Sequence, residues 1–322
     1  MFAVYVESFH PDDPLAGLVL GERPEPEVPE GWTTIEVKAA SLNHHDLFSL
    51  RGVGLKAEQL PMILGTDAAG LDEDGNEVVV HGVISDPAWH GDETFDPKRS
   101  LLSERHQGSM AERVAVPRRN LVPKPASLSF AEAACLPTAW LTAYRMLFTR
   151  GGLRPGETVL VQGAGGGVAT AAIVLARAAG LRVLVTSRDE GKRAKAVELG
   201  AHEAYESGAR LPEKVDAVIE TVGRATWSHS VRSLRPGGRI ITSGTTSGPN
   251  VDDAELTRIF FLQLSVIGST MGTRDELAAL VTMLDATGVR PLVDRELPME
   301  QAKDGFAVMA EGDVFGKIVF TR

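Results

Sequence analysis

The stretch Thr158–Ala179, TVLVQGAGGGVATAAIVLARAA, decides the fold. It begins with the apolar residues Val159–Val161, which are typical of a buried strand, and continues into the glycine-rich turn Gly163–Gly167. A helix of small residues is predicted from Val168, with its end at Gly180. Because glycine lets a ligand approach the backbone closely, N–H groups at this helix N-terminus can hold a pyrophosphate, whose charge the helix dipole favours. The stretch therefore predicts a dinucleotide site.

The turn departs from the GxGxxG pattern of such sites. Counting from Gly163 puts Val168 where the third glycine belongs, and counting from Ala164 gives AxGxxA. A glycine-rich turn without a ligand stays an alternative at this point. The segments that follow favour the dinucleotide site, because predicted strands alternate with helices, as in a parallel doubly wound sheet that binds ligands at the carboxyl ends of its strands. The predicted elements are strands at Leu181–Thr186, Val215–Glu220, Arg239–Ser243 and Ser265–Gly268, and helices at Asp189–Leu199 and Thr226–Leu234.

Length and composition set the broad class. The 322 residues suffice for about two domains. A formal net charge of −10 argues against nucleic acid or an anionic membrane as the main partner. The single cysteine, Cys135, cannot form an internal disulfide, which suits a reducing compartment. The start MFAVYVESF lacks the features of a signal peptide, and no apolar run is long enough to span a membrane, so we expect a soluble cytoplasmic protein.

The first third of the chain differs from the middle, because its segments alternate as strands do. Phe2–Glu7, Thr33–Ala40 and Glu77–Val83 are predicted strands, and the polar stretch Ser85–Gln107 is expected to form a surface lobe. Lys317–Thr321, at the far end, is a last predicted strand that needs a sheet to join. The first-third β domain is the expected host, so the fold is predicted to be discontinuous.

Eight segments in order resemble the medium-chain dehydrogenase/reductase superfamily, specifically its zinc-independent quinone oxidoreductase-like branch. They are SLNHHD, LGTDAAG, GSMAERVAVP, LPTAWLTAY, VLVQGAGGGV, ETVG, LRPGGRIITSG and FGKIVF. The resemblance implies an α/β fold: a GroES-like β domain plus a Rossmann domain with a doubly wound parallel sheet, and a cleft between them. We place the GroES-like catalytic domain at residues 1–125 and 270–322, and the Rossmann NADP(H)-binding domain at 126–269.

The departures from zinc-using relatives are informative. The positions of their catalytic zinc ligands hold Asn43, Thr66 and Thr138 here, and the lobe lacks the four cysteines of a structural zinc site. Zinc is bound by thiolate, imidazole or carboxylate rather than by amides and hydroxyls. Neighbouring His44, His45 and Asp46 could suggest a metal, but adjacent residues on a short segment point in different directions. We therefore expect no metal site.

Without zinc there is no strong Lewis acid to polarise an alcohol or carbonyl. The resemblance then implies an NADPH-dependent oxidoreductase that transfers a hydride to a small molecule, either a quinone or the C=C bond of an α,β-unsaturated carbonyl. Two alternatives stay open. One is a zinc-independent alcohol dehydrogenase, and the other is a non-enzymatic NADPH-binding sensor or structural protein.

The resemblance also suggests roles for single residues. Asn43 and Thr142 are expected near the nicotinamide, and His45, where zinc relatives have a proton-relay hydroxyl, could donate a proton or simply pack in its loop. Asp46 is expected to accept backbone hydrogen bonds, and Cys135 to be a core residue. The expected cofactor-binding residues are Gly163, Ala164, Gly165, Gly166, Gly167, Val168, Ser187, Arg188, Lys192, Thr221, Val222, Gly223, Ser243, Gly244, Ser269, Thr270, Met271 and Lys317.

The segment after the second Rossmann strand bears on the choice between NAD and NADP. Sites for NAD use an acidic residue there, whereas a 2′-phosphate needs cationic and hydroxyl donors. The sequence has Ser187 and Arg188 at this place and Lys192 on the next helix, while Asp189 is expected to cap that helix. We therefore expect NADP(H). An apolar edge strand near Leu264–Gly268 further predicts a homodimer.

Overall fold

The computed structural model describes all 322 residues, which form two compact units. The first consists of Met1–Leu141 and Met271–Arg322, and the second of Thr142–Thr270. The expected boundary at residues 125 and 126 differs from this division, because residues 126–141 belong to the first unit. The physical reason is the helix Phe130–Ala134, whose buried alanines pack closely against strands of the first unit.

The strands are numbered in chain order. They are β1 (Phe2–Val6), β2 (Leu18–Glu22), β3 (Trp32–Ser41), β4 (Met62–Ile63), β5 (Ala68–Leu71), β6 (Glu77–Val80), β7 (Val83–Ile84), β8 (Ser100–Leu101), β9 (Arg113–Pro117), β10 (Leu121–Pro123), β11 (Thr158–Gln162), β12 (Arg182–Ser187), β13 (Glu203–Glu206), β14 (Val215–Glu220), β15 (Leu234–Thr242), β16 (Ser265–Gly268), β17 (Val293–Pro298) and β18 (Lys317–Thr321).

The helices follow the same order, and π-helical turns at Leu136–Trp140 and Arg145–Arg150 flank α3. They are α1 (His44–Leu50), α2 (Phe130–Ala134), α3 (Leu141–Tyr144), α4 (Gly167–Ala178), α5 (Glu190–Leu199), α6 (Trp227–Ser233), α7 (Leu256–Phe261), α8 (Arg274–Thr287) and α9 (Ala302–Glu311). None of them is both long enough and apolar enough to cross a bilayer.

The first unit is built mainly from antiparallel strands. Its largest sheet has the order β10-β6-β5-β3-β18-β17, with β9 also paired to β3, and a smaller sheet has the order β2-β1-β4. The last strand, β18, lies antiparallel to β3, with Val319 opposite Ser41. This pairing confirms that the chain end returns to the first-third β domain. Alternating apolar residues of both segments, such as Ile35 and Phe320, are fully buried in one core with Phe306 of α9.

The second unit contains a six-stranded sheet in the order β13-β12-β11-β14-β15-β16, with every neighbouring pair parallel. The predicted doubly wound parallel sheet is therefore confirmed. Strand β13 and helix α7 were not predicted from the sequence. The register places Gln162 beside Thr186, so the carboxyl ends of β11 and β12 lie at one edge of the sheet, as ligand binding in such folds requires.

Candidate active site

A buried ammonium group of the first unit lies against one backbone carbonyl and two polar side chains. Lys317, at the start of β18, donates from Nζ to Leu42 O at 2.7 Å and to Asn43 Oδ1 at 2.6 Å, and it lies 3.6 Å from Asp67 Oδ2. Lys317 is 2% exposed and Asp67 is 0% exposed. A buried charge of each sign is tolerable here because each compensates the other. The pairing of β18 with β3 brings Lys317 to this place.

Both polar atoms of the Asn43 amide form hydrogen bonds within this cluster. Its Nδ2 donates to Asp67 Oδ2 at 2.8 Å and faces Thr66 Oγ1 at 3.3 Å, while Oδ1 accepts from Lys317. Thr66 Oγ1 in turn lies 2.9 Å from Thr138 Oγ1. The amide donor that the sequence analysis expected near the nicotinamide is therefore committed to neighbouring side chains. The structure likewise commits the ammonium of Lys317, which was expected to bind the cofactor, to this cluster.

His45 lies on α1 next to an acid from the lobe. Its Nε2 is 3.2 Å from Glu104 Oε1, and Glu104 also accepts a hydrogen bond from Leu101 N. Burial lowers the pKa of His45, but the hydrogen bond to Glu104 and the charges of Asp46, Glu104 and Asp67 outweigh burial and raise that pKa above its ordinary value. Glu104 was not predicted from the sequence, because the lobe shows no periodic pattern. His45 therefore keeps its proton at a higher pH than an ordinary histidine does.

Asp46 serves the structure, as predicted. Its Oδ2 accepts from Asn43 N and its Oδ1 from Gly65 N, both at 2.9 Å, so it ties the start of α1 to the segment before β5. Cys135 is fully buried, and burial raises the pKa of its thiol to about 12, which confirms a small core residue rather than a reactive one.

In the second unit, the glycine turn leads directly into α4. Gly163 has φ +83°, and an added Cβ at Gly166 would meet no atom within 4 Å, so open space lies beside this turn. No side chain caps the first turn of the 12-residue α4. Its N-terminal N–H groups therefore face open space with the favourable end of the helix dipole, which suits a pyrophosphate.

The segment after β12 exposes the cation that the sequence analysis expected there. The Arg188 side chain is exposed and makes no hydrogen bond or ion pair, and Ser187 Oγ accepts from Asp189 N at 3.2 Å, which leaves its hydroxyl hydrogen available. Asp189 Oδ1 accepts from Lys192 N at 2.7 Å, which confirms its predicted role as the cap of α5. Arg193, which sequence reasoning missed, donates to Ser187 O and Arg188 O and thereby supports the segment.

The loop after β14 is held by a buried carboxylate. Glu220 accepts from Val222 N at 2.7 Å, from Gly223 N at 3.0 Å and from the Ser230 hydroxyl at 2.6 Å. Ser230 accepts in turn from Gln162 Nε2 at 2.9 Å, and Gln162 Oε1 accepts from Thr186. This network was not predicted. It links the ends of β11, β12 and β14, where the expected cofactor loops begin.

Five more of the predicted residues lie at the same edge of the sheet. Thr221 follows β14, Ser243 and Gly244 follow β15, and Ser269 and Thr270 follow β16, so all five belong to the carboxyl edge of the sheet. Met271 comes next in sequence with φ +44°. Thr142 is buried in α3.

Comparison with known proteins identifies the family. The model for the alcohol dehydrogenase GroES-like domain matches residues 29–126, and the model for zinc-binding dehydrogenases matches residues 167–286. A zinc-type alcohol dehydrogenase-like protein of Schizosaccharomyces pombe is 30% identical over 339 residues, which cover 95% of this chain and 96% of the relative. The chain belongs to the medium-chain dehydrogenase/reductase superfamily.

Other relatives of this medium-chain dehydrogenase/reductase carry different names. An acryloyl-coenzyme A reductase of Metallosphaera sedula is 29% identical, with 95% of this chain and 96% of the relative covered. A quinone oxidoreductase of Mus musculus is also 29% identical, with 83% and 82% covered. The crystal structure of an NAD-dependent alcohol dehydrogenase superposes with a TM-score of 0.91 at 32% identity over the full length of both chains.

The zinc that part of the superfamily uses does not fit the side chains of this medium-chain dehydrogenase/reductase. An amide and two hydroxyls occupy the expected ligand positions, an ammonium lies beside them, and these groups bond to one another. No group of three His, Cys, Asp or Glu side chains is arranged to hold a metal ion anywhere in the chain. An ammonium beside the site would also repel Zn²⁺, whose ligands here would be neutral oxygens.

Proposed function

We propose that this chain is an NADPH-dependent oxidoreductase that transfers a hydride, without zinc, to a quinone or to the C=C bond of an α,β-unsaturated carbonyl compound. The observation that carries the proposal is the chemistry of Asn43, Thr66 and Thr138, which are an amide and two hydroxyls and include no zinc ligand. Such acceptors need orientation and hydrogen bonds to the oxygen that gains charge. The names of the acryloyl-coenzyme A reductase and quinone oxidoreductase relatives support the same class of acceptor.

The residues of the second unit suit NADP(H), which when bound supplies the hydride. The N–H groups at the start of α4 would hold the pyrophosphate, and Ser187 and Arg188 would bind the 2′-phosphate. Ser187 and Arg188 stand where NAD sites have their acid, and Asp189, which follows them, caps α5 through Oδ1.

His45 and Glu104 would complete the reduction. Hydride addition to the β-carbon of an enone leaves an enolate, and protonation at the α-carbon then gives the saturated ketone. The Glu104 carboxylate holds a proton on His45, so that His45 can supply it. A quinone takes up the hydride and one proton and gives the hydroquinone.

The test is NADPH oxidation, followed at its absorbance band, with quinones, enals, enones, nitroalkenes and enoyl-coenzyme A thioesters. Turnover with at least one class, unaffected by a chelator, is the expected result. Reduction of NADP⁺ by alcohols without turnover of these acceptors would favour an alcohol dehydrogenase. Tight NADPH binding without any turnover would favour a sensor. About one Zn²⁺ per chain by elemental analysis, with activity lost to a chelator, would overturn zinc independence.

A further inference from the structure

The side chains at the three expected zinc-ligand positions form a chain of hydrogen bonds with Lys317. It begins at the buried Lys317 ammonium, passes through the Asn43 amide and the Thr66 hydroxyl, and ends at the Thr138 hydroxyl. The successive donor–acceptor distances are 2.6, 3.3 and 2.9 Å. Every member belongs to the first compact unit.

The chemistry of the groups fixes the direction of this chain. An ammonium can only donate, so Lys317 must face the Asn43 carbonyl oxygen, and the Asn43 NH₂ group must then donate to Thr66. Thr66 is fully buried, and its hydroxyl has one remaining neighbour, Thr138. If Thr138 were the donor, the hydrogen of Thr66 would have no acceptor, which costs free energy in a buried place. Thr66 therefore donates to Thr138.

This direction leaves the Thr138 hydroxyl with a hydrogen of its own to donate. Thr138 is also the one partly exposed member, since Lys317, Asn43 and Thr66 are 2%, 7% and 0% exposed. It lies within the π-helical turn Leu136–Trp140, a local distortion that is frequent at functional sites. The chain thus starts at a buried positive charge and ends in an accessible donor.

We propose that Thr138 is a catalytic residue whose hydroxyl donates a hydrogen bond to the substrate oxygen that gains negative charge, and that Lys317, Asn43 and Thr66 are its positioning residues. The inference rests on the proposed function for the identity of the reacting substrate. Each donor in a chain polarises the next, and the charged first member strengthens the effect. The Asp67 carboxylate, which accepts from Asn43 and Ser41, keeps the ammonium in place without contacting Thr138.

Threonine variants of the full chain test the assignment. Thr138→Val removes the hydroxyl and keeps the shape, so kcat should fall about a hundredfold, the cost of losing one preorganised donor to a developing oxyanion. Thr138→Ser should restore most of the activity, and the Kd of NADPH should stay the same in both variants. Thr66→Val, which breaks the chain one step away, should cause a smaller loss of kcat. Thr282→Val, an exposed change on α8 in the same unit, should have no effect.

Infrared spectroscopy of bound cyclohexanone provides a readout independent of turnover. This ketone is the product of both cyclohexenone reduction and cyclohexanol oxidation, so the probe stays valid if the enzyme proves to be an alcohol dehydrogenase. In wild type and Thr138→Ser the carbonyl band should shift to lower frequency, and in Thr138→Val the shift should disappear. An equal shift in wild type and Thr138→Val, or no bound ketone in wild type, would overturn the assignment. Enone turnover tests the proposed function separately.

Discussion

Arg188 tests the choice of cofactor most directly. Its exposed side chain has no partner in the protein, so Arg188→Ala removes a potential phosphate contact without breaking an internal one. A charge-assisted hydrogen bond to the 2′-phosphate should make the Kd of NADPH rise about tenfold, with salt reducing the effect, while the Kd of NADH barely changes. Fluorescence titration of both cofactors at low and physiological ionic strength measures this.

Arg154→Ala is the matched control. Arg154 is also exposed but precedes β11, at the amino end of the strands, where a parallel sheet does not bind its ligand. Its removal should leave both Kd values unchanged. If Arg188→Ala weakens both cofactors equally, Arg188 supports the loop rather than binding the phosphate.

Lys317 and Asp67 should behave as a coupled pair. Lys317→Met leaves the Asp67 carboxylate buried without a compensating cation, so the free energy of unfolding should fall by about 3–5 kcal/mol. The double variant Lys317→Met with Asp67→Asn removes both charges and should recover part of the loss. Urea denaturation measures all three proteins. A cost below about 1 kcal/mol for Lys317→Met would contradict the buried pair.

The His45–Glu104 pair predicts a pH effect. The raised pKa of His45 means that its proton is held to higher pH, so the proposed reductase activity should fall as pH rises through that pKa. Glu104→Gln removes the carboxylate that raises the pKa of His45 against the effect of burial. The alkaline limb of the pH profile of kcat/KM should therefore move to lower pH. Glu58→Gln, an exposed change, should leave the profile in place. An unmoved limb in Glu104→Gln would exclude His45 as the proton donor.

Helix α9 and strand β18 pack so closely that there is no room for one added methyl group between them. A Cβ at Gly305 would lie 2.6 Å from Phe320 Cε1, and the Phe320 ring cannot retreat because it stacks on the buried Phe306, with ring centroids 6.1 Å apart. Gly305→Ala should therefore destabilise the protein by about 1–3 kcal/mol in thermal or urea unfolding, although alanine favours a helix.

The matched change in the same helix is Ala307→Gly. It should cost about 1 kcal/mol from helix propensity alone, because Ala307 is only partly buried. Gly305→Ala and Ala307→Gly exchange the same two residue types in opposite directions, and both should destabilise α9. A stabilised Gly305→Ala protein would show that the sheet yields at this contact.

The elements that the sequence predicted well have strong local signals. Strands such as Val215–Glu220 are continuous apolar runs of a buried parallel sheet, and Ser129 with Glu132 forms the expected capping box at α2. β17 could not be predicted, because VDRELP is polar and lies at a sheet edge, where pairing with β18 rather than periodicity stabilises it. α7 could not be predicted for a different reason, because it has only six residues and none of them is buried.

The candidate site shows the same limit. Asn43, Thr66 and Thr138 were identified from motifs as positions without a zinc ligand, but the bond from Lys317 to Asn43 joins residues that lie 274 positions apart in the chain. No local pattern reports such a contact, since it arises from the pairing of β18 with β3. Glu104 was missed for a related reason, because an irregular lobe carries it to His45.

The second unit ends in a surface that suits a second copy of the chain. β16 is the edge strand of the six-stranded sheet, and its Val266 is exposed. Leu256, Phe260 and Phe261 of α7, which precedes β16, are also exposed large apolar residues. An unpaired edge strand with apolar residues near it in sequence is open to association. We propose a C2 dimer through β16, because a two-fold axis lets one edge pair with its own copy.

Light scattering at micromolar concentration should then give twice the chain mass of 34.4 kDa. Val266→Lys places a charge on the edge strand and should yield monomers, because two lysines would meet across the two-fold axis. Val197→Lys on α5 is the matched control, since Val197 is 45% exposed and Val266 46%, and it should leave the dimer intact. A monomeric wild type would rule out this interface. Equal dissociation by both lysine substitutions would also rule it out, because a charge at any exposed position would then have the same effect.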